Sequence, residues 1–509
     1  AGLPNVIQRA FLHDRQTGIT SVVAERDDGY IGLNTSGEPT LSPDGTHVAF
    51  RYDGGDLLLT DTNGRFDIYV RDLSTGAVEQ VSISSTGQQA NDSCYRPSIS
   101  AGGRFVFFES GATNLVPGDS TNYDIFVKDR QTAVLSCVSL TSSGGFANGS
   151  SHEPSCSADG QVVVFLSHAT NLAAQVAGPP PYILVNDRVT GVSTFAVVSN
   201  LGLTPNGFSD APSISGNGRF IAYSSSASNL VVNDTNGARD VFLFDRVTAS
   251  TSRVSLGNGN VQANSDCERP SVSYDGNAIA FVSFASNLVS GDTWVLRDVF
   301  VRSRSQSLTT RVSVSSAGAQ ANNSSTYAAL ASNGQHVAFV SQAGNLVPND
   351  TNGNQDCFVH SIGCATPESY CTPGTTTGGC TPFMSSAGTA SLTAGSGFDI
   401  SVNQLDGGRF GLIYYGFTPT AVSWAIGSTS LTCVAPPVQR TPIVDGGGTP
   451  GSCTGVITLD FNAFIAANPN ALGAPYSVGQ VFYAQGWFRD PGAPKQTNLS
   501  DGLRFTLCD

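Results

Sequence analysis

Three loops in the first 360 residues carry the residues whose types and spacing most resemble a metal site. Each loop reads Asp-Thr-Asn-Gly-x-x-Asp, with oxygen-bearing side chains at its first, third and seventh positions. Oxygen ligands and a glycine at the sharp bend are what hard cations such as Ca²⁺ require. The predicted calcium ligands are Asp61, Asn63, Asp67, Asp234, Asn236, Asp240, Asp350, Asn352 and Asp356. The alternative is a structural loop in which these side chains bond their own backbone.

A second candidate site comes from the residue that precedes a recurring Pro-Ser-Ile-Ser segment. The segment occurs six times, and in five of these copies the preceding residue is charged or aromatic. If the copies surround an axis, these side chains lie at the mouth of a central channel. We predict a polar binding pocket there, formed by Glu38, Arg96, Glu153, Arg269 and Tyr327. The alternative is a ring of mutual ion pairs without a ligand.

Two common motifs of catalytic centres are absent from the sequence. It holds no G-x-S-x-G nucleophile elbow and no H-E-x-x-H metal motif. His47 and His336 occupy the repeat position that Phe105 and Phe220 fill elsewhere, which favours a packing or surface role. A catalytic pair of carboxylates, as in glycosidases, remains an alternative. Acidic side chains are plentiful, and a sequence does not show how far apart they lie in space.

The elements that position these residues belong to an internal repeat spanning the first 360 residues. Six segments begin at Pro39, Pro97, Pro154, Pro212, Pro270 and Ala328, at spacings of 58, 57, 58, 58 and 58 residues. An aromatic residue follows each start by eleven positions, and Val or Ile stands two places before it. Such period-two patterning predicts strands with one buried face. Each copy predicts four strands, and a repeated four-stranded antiparallel unit is typical of a β-propeller.

The pattern Ser-Pro-Asp-Gly…Val-Ala-Phe…Ile-Tyr-Val-x-Asp resembles the TolB-type, WD40-like propeller repeat over about two thirds of the chain. The resemblance implies an all-β, six-bladed β-propeller over residues 1–364, a fold that serves enzymes and binding proteins alike. We expect N-terminal strands near 6–13 and 19–25 to complete the sixth blade and close the ring. Six blades need 24 strands while the pattern yields 25, so one copy of the third strand is surplus.

The region from 365 to 509 lacks the repeat and shows alternating runs that predict a small antiparallel β-sandwich. Cys371 with Cys380, and Cys433 with Cys453, are the expected disulfides, because each pair closes a short loop. The motifs Cys433-Val-Ala-Pro-Pro and Trp487-Phe-Arg-Asp-Pro resemble a C-terminal module of secreted planctomycete proteins. That resemblance implies no chemistry.

Composition limits the partners and the compartment. The net charge is −14 and Lys128 and Lys495 are the only lysines, which argues against nucleic acid as a partner. No run of 18 apolar residues exists, so we expect no transmembrane segment. Eleven cysteines without a CxxC zinc pattern favour an oxidising compartment. The chain begins at Ala1, as a mature chain does after loss of a leader, and a trimmed chain would look the same.

These observations predict a secreted or cell-surface protein without catalytic activity. It would be a binding or structural protein, for example a component of an extracellular envelope or matrix. Its expected partners are an extracellular protein, a glycan or further copies of itself, with calcium as the one candidate cofactor. The alternative is a propeller enzyme that acts on polysaccharide at the channel mouth.

Overall fold

The computed structural model describes residues 8–15, 17–173, 180–201, 203–315, 318–362, 367–391, 394–474, 476 and 480–507. The chain divides into two compact units, residues 1–362 and 363–509. This division falls next to the predicted boundary at 364. No helix in the described residues is long and apolar enough to cross a membrane.

The first unit is a series of antiparallel sheets, or blades, each with its strands in chain order. Blade 1 holds β3 (Ser36–Leu41), β4 (His47–Tyr52), β5 (Asp67–Asp72) and β6 (Val78–Gln80). Blade 2 holds β7 (Cys94–Ile99), β8 (Phe105–Ser110), β9 (Asp124–Asp129) and β10 (Val134–Cys137), with a short 3-10 turn at Ala101–Gly103. Blade 3 holds β11 (Ser151–Cys156), β12 (Val162–Ser167), β13 (Tyr182–Asp187) and β14 (Val192–Phe195).

The series continues with the same order. Blade 4 holds β15 (Ser209–Ile214), β16 (Phe220–Ser225), β17 (Asp240–Asp245) and β18 (Ser250–Arg253). Blade 5 holds β19 (Cys267–Val272), β20 (Ala278–Ser283), β21 (Asp298–Ser303) and β22 (Leu308–Arg311). Blade 6 has three strands, β23 (Ser325–Leu330), β24 (His336–Ser341) and β25 (Asp356–Ser361). Repeated four-stranded antiparallel sheets in chain order are the blades of a β-propeller.

The period-two pattern of the repeat places apolar side chains on both faces of each inner blade. Ile68 and Val70 of β5 share one core cluster with Val106, Phe108 and Phe126 of blade 2. Equivalent clusters join the later blades in turn. Each blade therefore buries its apolar surface against its neighbours, which a single four-stranded sheet could not do alone.

The recurring serine of the Pro-Ser-Ile-Ser segment connects successive blades. The hydroxyl of Ser155 accepts from the backbone N–H of Ile214, at 3.3 Å, and that of Ser271 accepts from Leu330, at 2.9 Å. Ser98 and Ser213 make the same bond to the blade that follows each of them. The sixth copy has Ala329 at this position, so it offers no hydroxyl to a further blade.

The N-terminal strands β1 (Phe11–His13) and β2 (Thr20–Val22) pair with each other in a two-stranded sheet. Ala10 and Val23, which flank them, pack on Phe50 and Tyr69 of blade 1. The expected addition of this pair to blade 6 is not present among the described residues, because β25 already pairs with β24 there. The two copies of the third strand at the ends of the repeat, β1 and β25, are thus both present, in separate sheets.

The two end blades expose faces that the inner blades bury. Leu41 of blade 1 is 50% exposed, whereas its repeat equivalent Ile99 is 4% exposed. Val359 of blade 6 is 49% exposed, whereas Val127 in blade 2 is 2% exposed. The difference follows from position in the series, because among the described residues only β1 and β2 precede blade 1, and no further blade of this unit follows blade 6.

The second unit is built on two larger sheets. One joins β26 (Glu368–Tyr370), β36 (Thr497–Thr506), β35 (Val481–Arg489), β29 (Phe410–Gly416), β32 (Gln439–Arg440) and β33 (Val444–Asp445). The other joins β27 (Phe383–Gly388), β28 (Phe398–Leu405) and β34 (Gly455–Asp460). A hairpin of β30 (Pro419–Ser423) and β31 (Leu431–Val434) and the helix α1 (Phe461–Ala467) complete it.

Both sheets contribute to one core in this unit. Ile400 and Val402 of β28 share a buried cluster with Phe482 of β35 and Phe505 of β36. The helix begins at Asp460, whose carboxylate accepts from the N–H of Ala463 and so caps the first turn. The alternating runs of the sequence thus form strands whose apolar side chains meet in one buried cluster.

The disulfide prediction was wrong in its pairing. The structure joins Cys371 to Cys433 and Cys380 to Cys453, with Cα–Cα distances of 6.0 and 5.5 Å. Tyr370, next to Cys371, donates its hydroxyl to the carbonyl of Cys433 at 2.7 Å, so the end of β26 lies beside β31. Contacts between distant strands, rather than short loops, decide which sulfurs meet.

Candidate functional site

The predicted mouth residues share an unusual backbone conformation. All six occupants of the position take a positive φ within an irregularity of the strand pairing. The angles are 50° at Glu38, 50° at Arg96, 58° at Glu153, 51° at Ala211, 54° at Arg269 and 54° at Tyr327. A bulge of this kind re-aims a side chain out of the sheet, and it is frequent beside binding sites. The repeated bulge therefore presents one side chain per blade at the same edge.

Three of the five predicted binding residues meet around Arg96. Its backbone N–H donates to Glu38 Oε2 at 2.7 Å, and its Nη1 lies 3.1 Å from Glu153 Oε1. Arg269 and Tyr327 lie together in another pair, with the guanidinium 4.6 Å from the ring centroid. The predicted pocket is thus divided into a group on blades 1–3 and a cation–π pair on blades 5 and 6.

A third carboxylate, which sequence reasoning missed, joins the group around Arg96. Glu109 lies on β8 with its side chain almost fully buried, and its Oε2 accepts from the backbone N–H of Glu153 at 2.8 Å. The same oxygen lies 3.8 Å from Arg96 Nη1 and 3.6 Å from His152 Nδ1. Its signal in the sequence is an acidic residue at a strand position that Leu166, Ser224 and Val282 fill in other copies.

A row of aromatic rings runs beside these charges and crosses the blade boundaries. The ring centroids of Phe66 and Tyr95 are 5.9 Å apart, those of Tyr95 and Tyr123 6.5 Å, and those of Tyr123 and His152 5.4 Å. The guanidinium of Arg51 lies 4.4 Å from the Phe66 ring and 3.3 Å from Glu38 Oε1. All four rings are partly exposed.

The same repeat positions hold ion pairs in blades 4 and 5. One position is the second residue of the first strand, and the other directly precedes the third strand. Arg239 pairs with Asp210 in blade 4, and Arg297 lies 3.1 Å from Glu268 in blade 5. Blade 2 places Tyr95 and Tyr123 at these positions. Two rings of the aromatic row therefore stand in blade 2 where blades 4 and 5 have an ion pair.

Charges and rings together line an open cavity of about 460 Å³. We call it the aromatic groove and define it by its six lining residues. They are Glu38, Tyr95, Arg96, Glu109, Tyr123 and His152. Partly exposed rings give flat apolar surfaces, while carboxylates and a guanidinium supply acceptors and donors at their edge. Such a mixture can hold a polar ligand that also has apolar faces.

The predicted calcium loops bond internally. In the first loop, Asn63 Nδ2 donates to Asp67 Oδ2 at 2.8 Å, and Tyr69 donates its hydroxyl to Asp61 Oδ2 at 2.5 Å. Asp67 Oδ1 also accepts from Ser82, at 2.5 Å. The third loop repeats the first of these bonds, from Asn352 to Asp356, at 3.1 Å. The backbone N–H groups of Arg65 and Asn354 also donate to Asn63 Oδ1, at 2.9 Å, and Asn352 Oδ1, at 2.7 Å, and these are contacts of the structural alternative.

In the second loop an arginine takes the place between the carboxylates. Arg253 lies 2.9 Å from Asp234 and 3.6 Å from Asp240, with all three side chains nearly fully buried. Asn236 Nδ2 donates to Asp240 Oδ2 at 3.0 Å. The described residues contain no group of three or more His, Cys, Asp or Glu side chains that could hold a metal ion. Calcium binding stays a prediction.

Blade 2 differs from blade 4 in this region. Its shorter loop keeps two acids, Asp119 and Asp124, but Cys137 stands at the position of Arg253. Asp124 is fully buried, and its Oδ1 accepts from Ser139 at 2.5 Å. Burial, aided by the charge of Asp119, raises the pKa of Asp124 to about 7.

Comparison with known proteins gives structural similarity at low identity. No family model matches the sequence, and no curated protein matches it. TolB from Acinetobacter baumannii is 14% identical, with 69% of this chain and 73% of that chain covered and a TM-score of 0.37. A putative TolB from Agrobacterium tumefaciens is 14% identical, with 70% and 98% covered and a TM-score of 0.38. An oligogalacturonate lyase from Vibrio parahaemolyticus is 12% identical, with 70% and 98% covered and a TM-score of 0.34.

Proposed function

We propose that this protein is a secreted, non-catalytic binding protein whose propeller takes an extracellular ligand, a protein or a glycan, at the aromatic groove. The observation that carries the proposal is the gathering of three carboxylates around Arg96 beside partly exposed rings. Glu38, Glu109 and Glu153 each accept from, or pair with, a group of a neighbouring blade. Binding sites of this kind combine apolar walls with a few placed polar groups.

The engagement of the carboxylates supports binding over catalysis. A general acid or base must exchange a proton with its substrate, so its carboxyl needs to be within reach of that substrate. The Glu109 carboxylate lies at the wall of the groove, but its side chain is only 7% exposed and its Oε2 accepts from the N–H of Glu153 at 2.8 Å, with His152 and Arg96 beside it. These partners suit a side chain that fixes the shape of the groove.

Two features support secretion. Two disulfides, Cys371–Cys433 and Cys380–Cys453, join distant segments of the second unit, and such bonds persist in oxidising compartments. The resemblance of the C-terminal motifs to a module of secreted planctomycete proteins points the same way. A role within an extracellular envelope or matrix accords with both.

The second candidate is an enzyme that acts on polysaccharide, because three carboxylates surround one cavity. The test is to incubate the purified full chain with soluble polysaccharides and to measure new reducing ends and the ultraviolet absorbance of unsaturated products. The proposal predicts no product above the blank, for the wild type and for Glu109→Gln alike. Product formation that Glu109→Gln abolishes, in a variant with an unchanged melting temperature, would establish the enzyme instead.

A further inference from the structure

We infer that the aromatic groove binds an uncharged oligosaccharide. The inference rests on the proposed binding function and specifies the chemical class of its ligand. It follows from three features of the groove: the exchange of ion pairs for rings, the interleaving of both charge signs, and the hydrogen-bonding capacity at its edge.

The first feature is the replacement of ion pairs by rings at equivalent positions. Arg297 and Glu268 neutralise each other in blade 5, at 3.1 Å, whereas blade 2 has Tyr95 and Tyr123 there. Water solvates a partly exposed aromatic ring poorly. Such a ring offers a ligand a large apolar area and loses little conformational entropy when the ligand binds. The C–H faces of a sugar ring are flat apolar surfaces that match them.

The second feature is the alternation of charge within the groove. Arg96 lies between Glu153, at 3.1 Å, and Glu109, at 3.8 Å, and Arg51 pairs with Glu38 at 3.3 Å. A polyanion would bring its charges against three carboxylates, and a polycation would meet the guanidinium of Arg96 in the groove and that of Arg51 beside Glu38. An uncharged ligand avoids both repulsions.

The third feature is the number of polar atoms left for a ligand. A carboxylate has about four acceptor sites and a guanidinium has five donors. Glu38 uses Oε2 for the N–H of Arg96, at 2.7 Å, and Arg96 uses Nη1 for Glu153, at 3.1 Å. Both side chains are partly exposed at the cavity. Vicinal hydroxyls, which both donate and accept, fit an edge where acceptors and donors alternate.

The test is native affinity electrophoresis of the full chain in gels that contain one soluble polysaccharide each. Galactomannan, glucomannan and xyloglucan serve as neutral probes, polygalacturonate as the anionic probe, and polylysine in solution as the cationic one. We expect at least one neutral polysaccharide to retard the wild type. The double variant Tyr95→Ala with Tyr123→Ala is expected to weaken that retardation about tenfold or more.

The matched control exchanges the same repeat positions in blade 4, Asp210→Ala with Arg239→Ala, and should leave the retardation unchanged. If the double variant in blade 2 does not fold, Tyr95→Ala alone replaces it, with a smaller expected loss. Retardation by no neutral probe, binding of only polygalacturonate or polylysine, or equal retardation of the blade 2 and control variants would each overturn the inference. Retardation together with product formation would support the ligand class and overturn the non-catalytic function.

Discussion

The ring of Tyr123 lies 5.4 Å from the ring of His152, across the boundary between blade 2 and blade 3. Tyr123 directly precedes β9, the third strand of blade 2, and His152 lies on β11, the first strand of blade 3. Because the groove is assembled from blades 1, 2 and 3, its shape depends on how these blades pack. A ligand that spans the rings should therefore stabilise this blade interface along with the fold.

The buried cluster around Arg253 should be sensitive to loss of its charge. Replacing Arg253 by Met leaves Asp234 and Asp240 without their shared cation, so the free energy of unfolding should fall by about 3–5 kcal/mol. Chemical denaturation measures this. The pair of Arg104 with Asp129 at the surface is the control, since solvent screens the Arg104 charge and Arg104→Met should cost far less. Equal effects of the two exchanges would contradict the buried-pair account.

Ionisation of Asp124 should destabilise the protein between pH 5 and pH 8. Its native pKa of about 7 lies above the ordinary value of 3.8, so protonation favours the folded state. That contribution is complete below pH 3.8 and is lost as the pH rises through 7. The melting temperature of Asp124→Asn should therefore fall less from pH 5 to pH 8 than that of the wild type.

The control for this pH experiment is Asp129, whose bond to Arg104 lowers its pKa to about 2. Asp129 is ionised in both folded and unfolded states throughout the window, so Asp129→Asn should keep the wild-type slope. If Asp124→Asn and Asp129→Asn changed the slope alike, burial of the Asp124 carboxyl would not be its cause.

The disulfides should appear as long-range links in peptide mapping without reduction. We expect peptides that join Cys371 to Cys433 and Cys380 to Cys453. Loop closure over 62 residues corresponds to about 4 kcal/mol in the chain-entropy account, so Cys371→Ala with Cys433→Ala should lower the melting temperature strongly. A peptide joining Cys371 to Cys380 would contradict this connectivity.

Calcium has a direct test in thermal unfolding with and without a chelator. In blade 4 a cation would compete with Arg253, which already lies 2.9 Å from Asp234. In blade 1 the amide of Asn63 already donates to Asp67 at 2.8 Å. The structural alternative therefore predicts the same melting temperature in both conditions. A lower midpoint in the chelator, restored by added Ca²⁺, would show that the loops open to bind the ion.

The repeat made much of the fold predictable from the sequence. The spacing of Pro97, Pro154 and Pro212, together with the Val-x-Phe pattern, predicts the strands that form blades 2 to 4. It also predicts the excess strand, since β1 and β25 both exist. The pattern could not show that β25 occupies the edge of β24, because strand choice depends on competition between two similar segments.

The site was harder to predict, because its members meet only after the blades pack. Arg96 and Glu153 were identifiable as occupants of one repeat position, and the structure places them 3.1 Å apart. Glu109 and Tyr123 occupy other positions and reach the same cavity from β8 and from the loop that directly precedes β9. Comparing copies position by position exposes them, since each departs from what the other blades place there.

The most direct test of the central claim is hydrogen exchange of the full chain with and without a neutral polysaccharide that retards it. The account predicts slower exchange in peptides that cover residues 94–96, 123–124 and 151–153, which form the groove. Peptides covering the equivalent residues of blades 4 and 5, namely 209–211, 239–240 and 267–269, should be unchanged. Protection confined to blades 4 and 5, or to the second unit, would contradict the claim that the aromatic groove is the binding site.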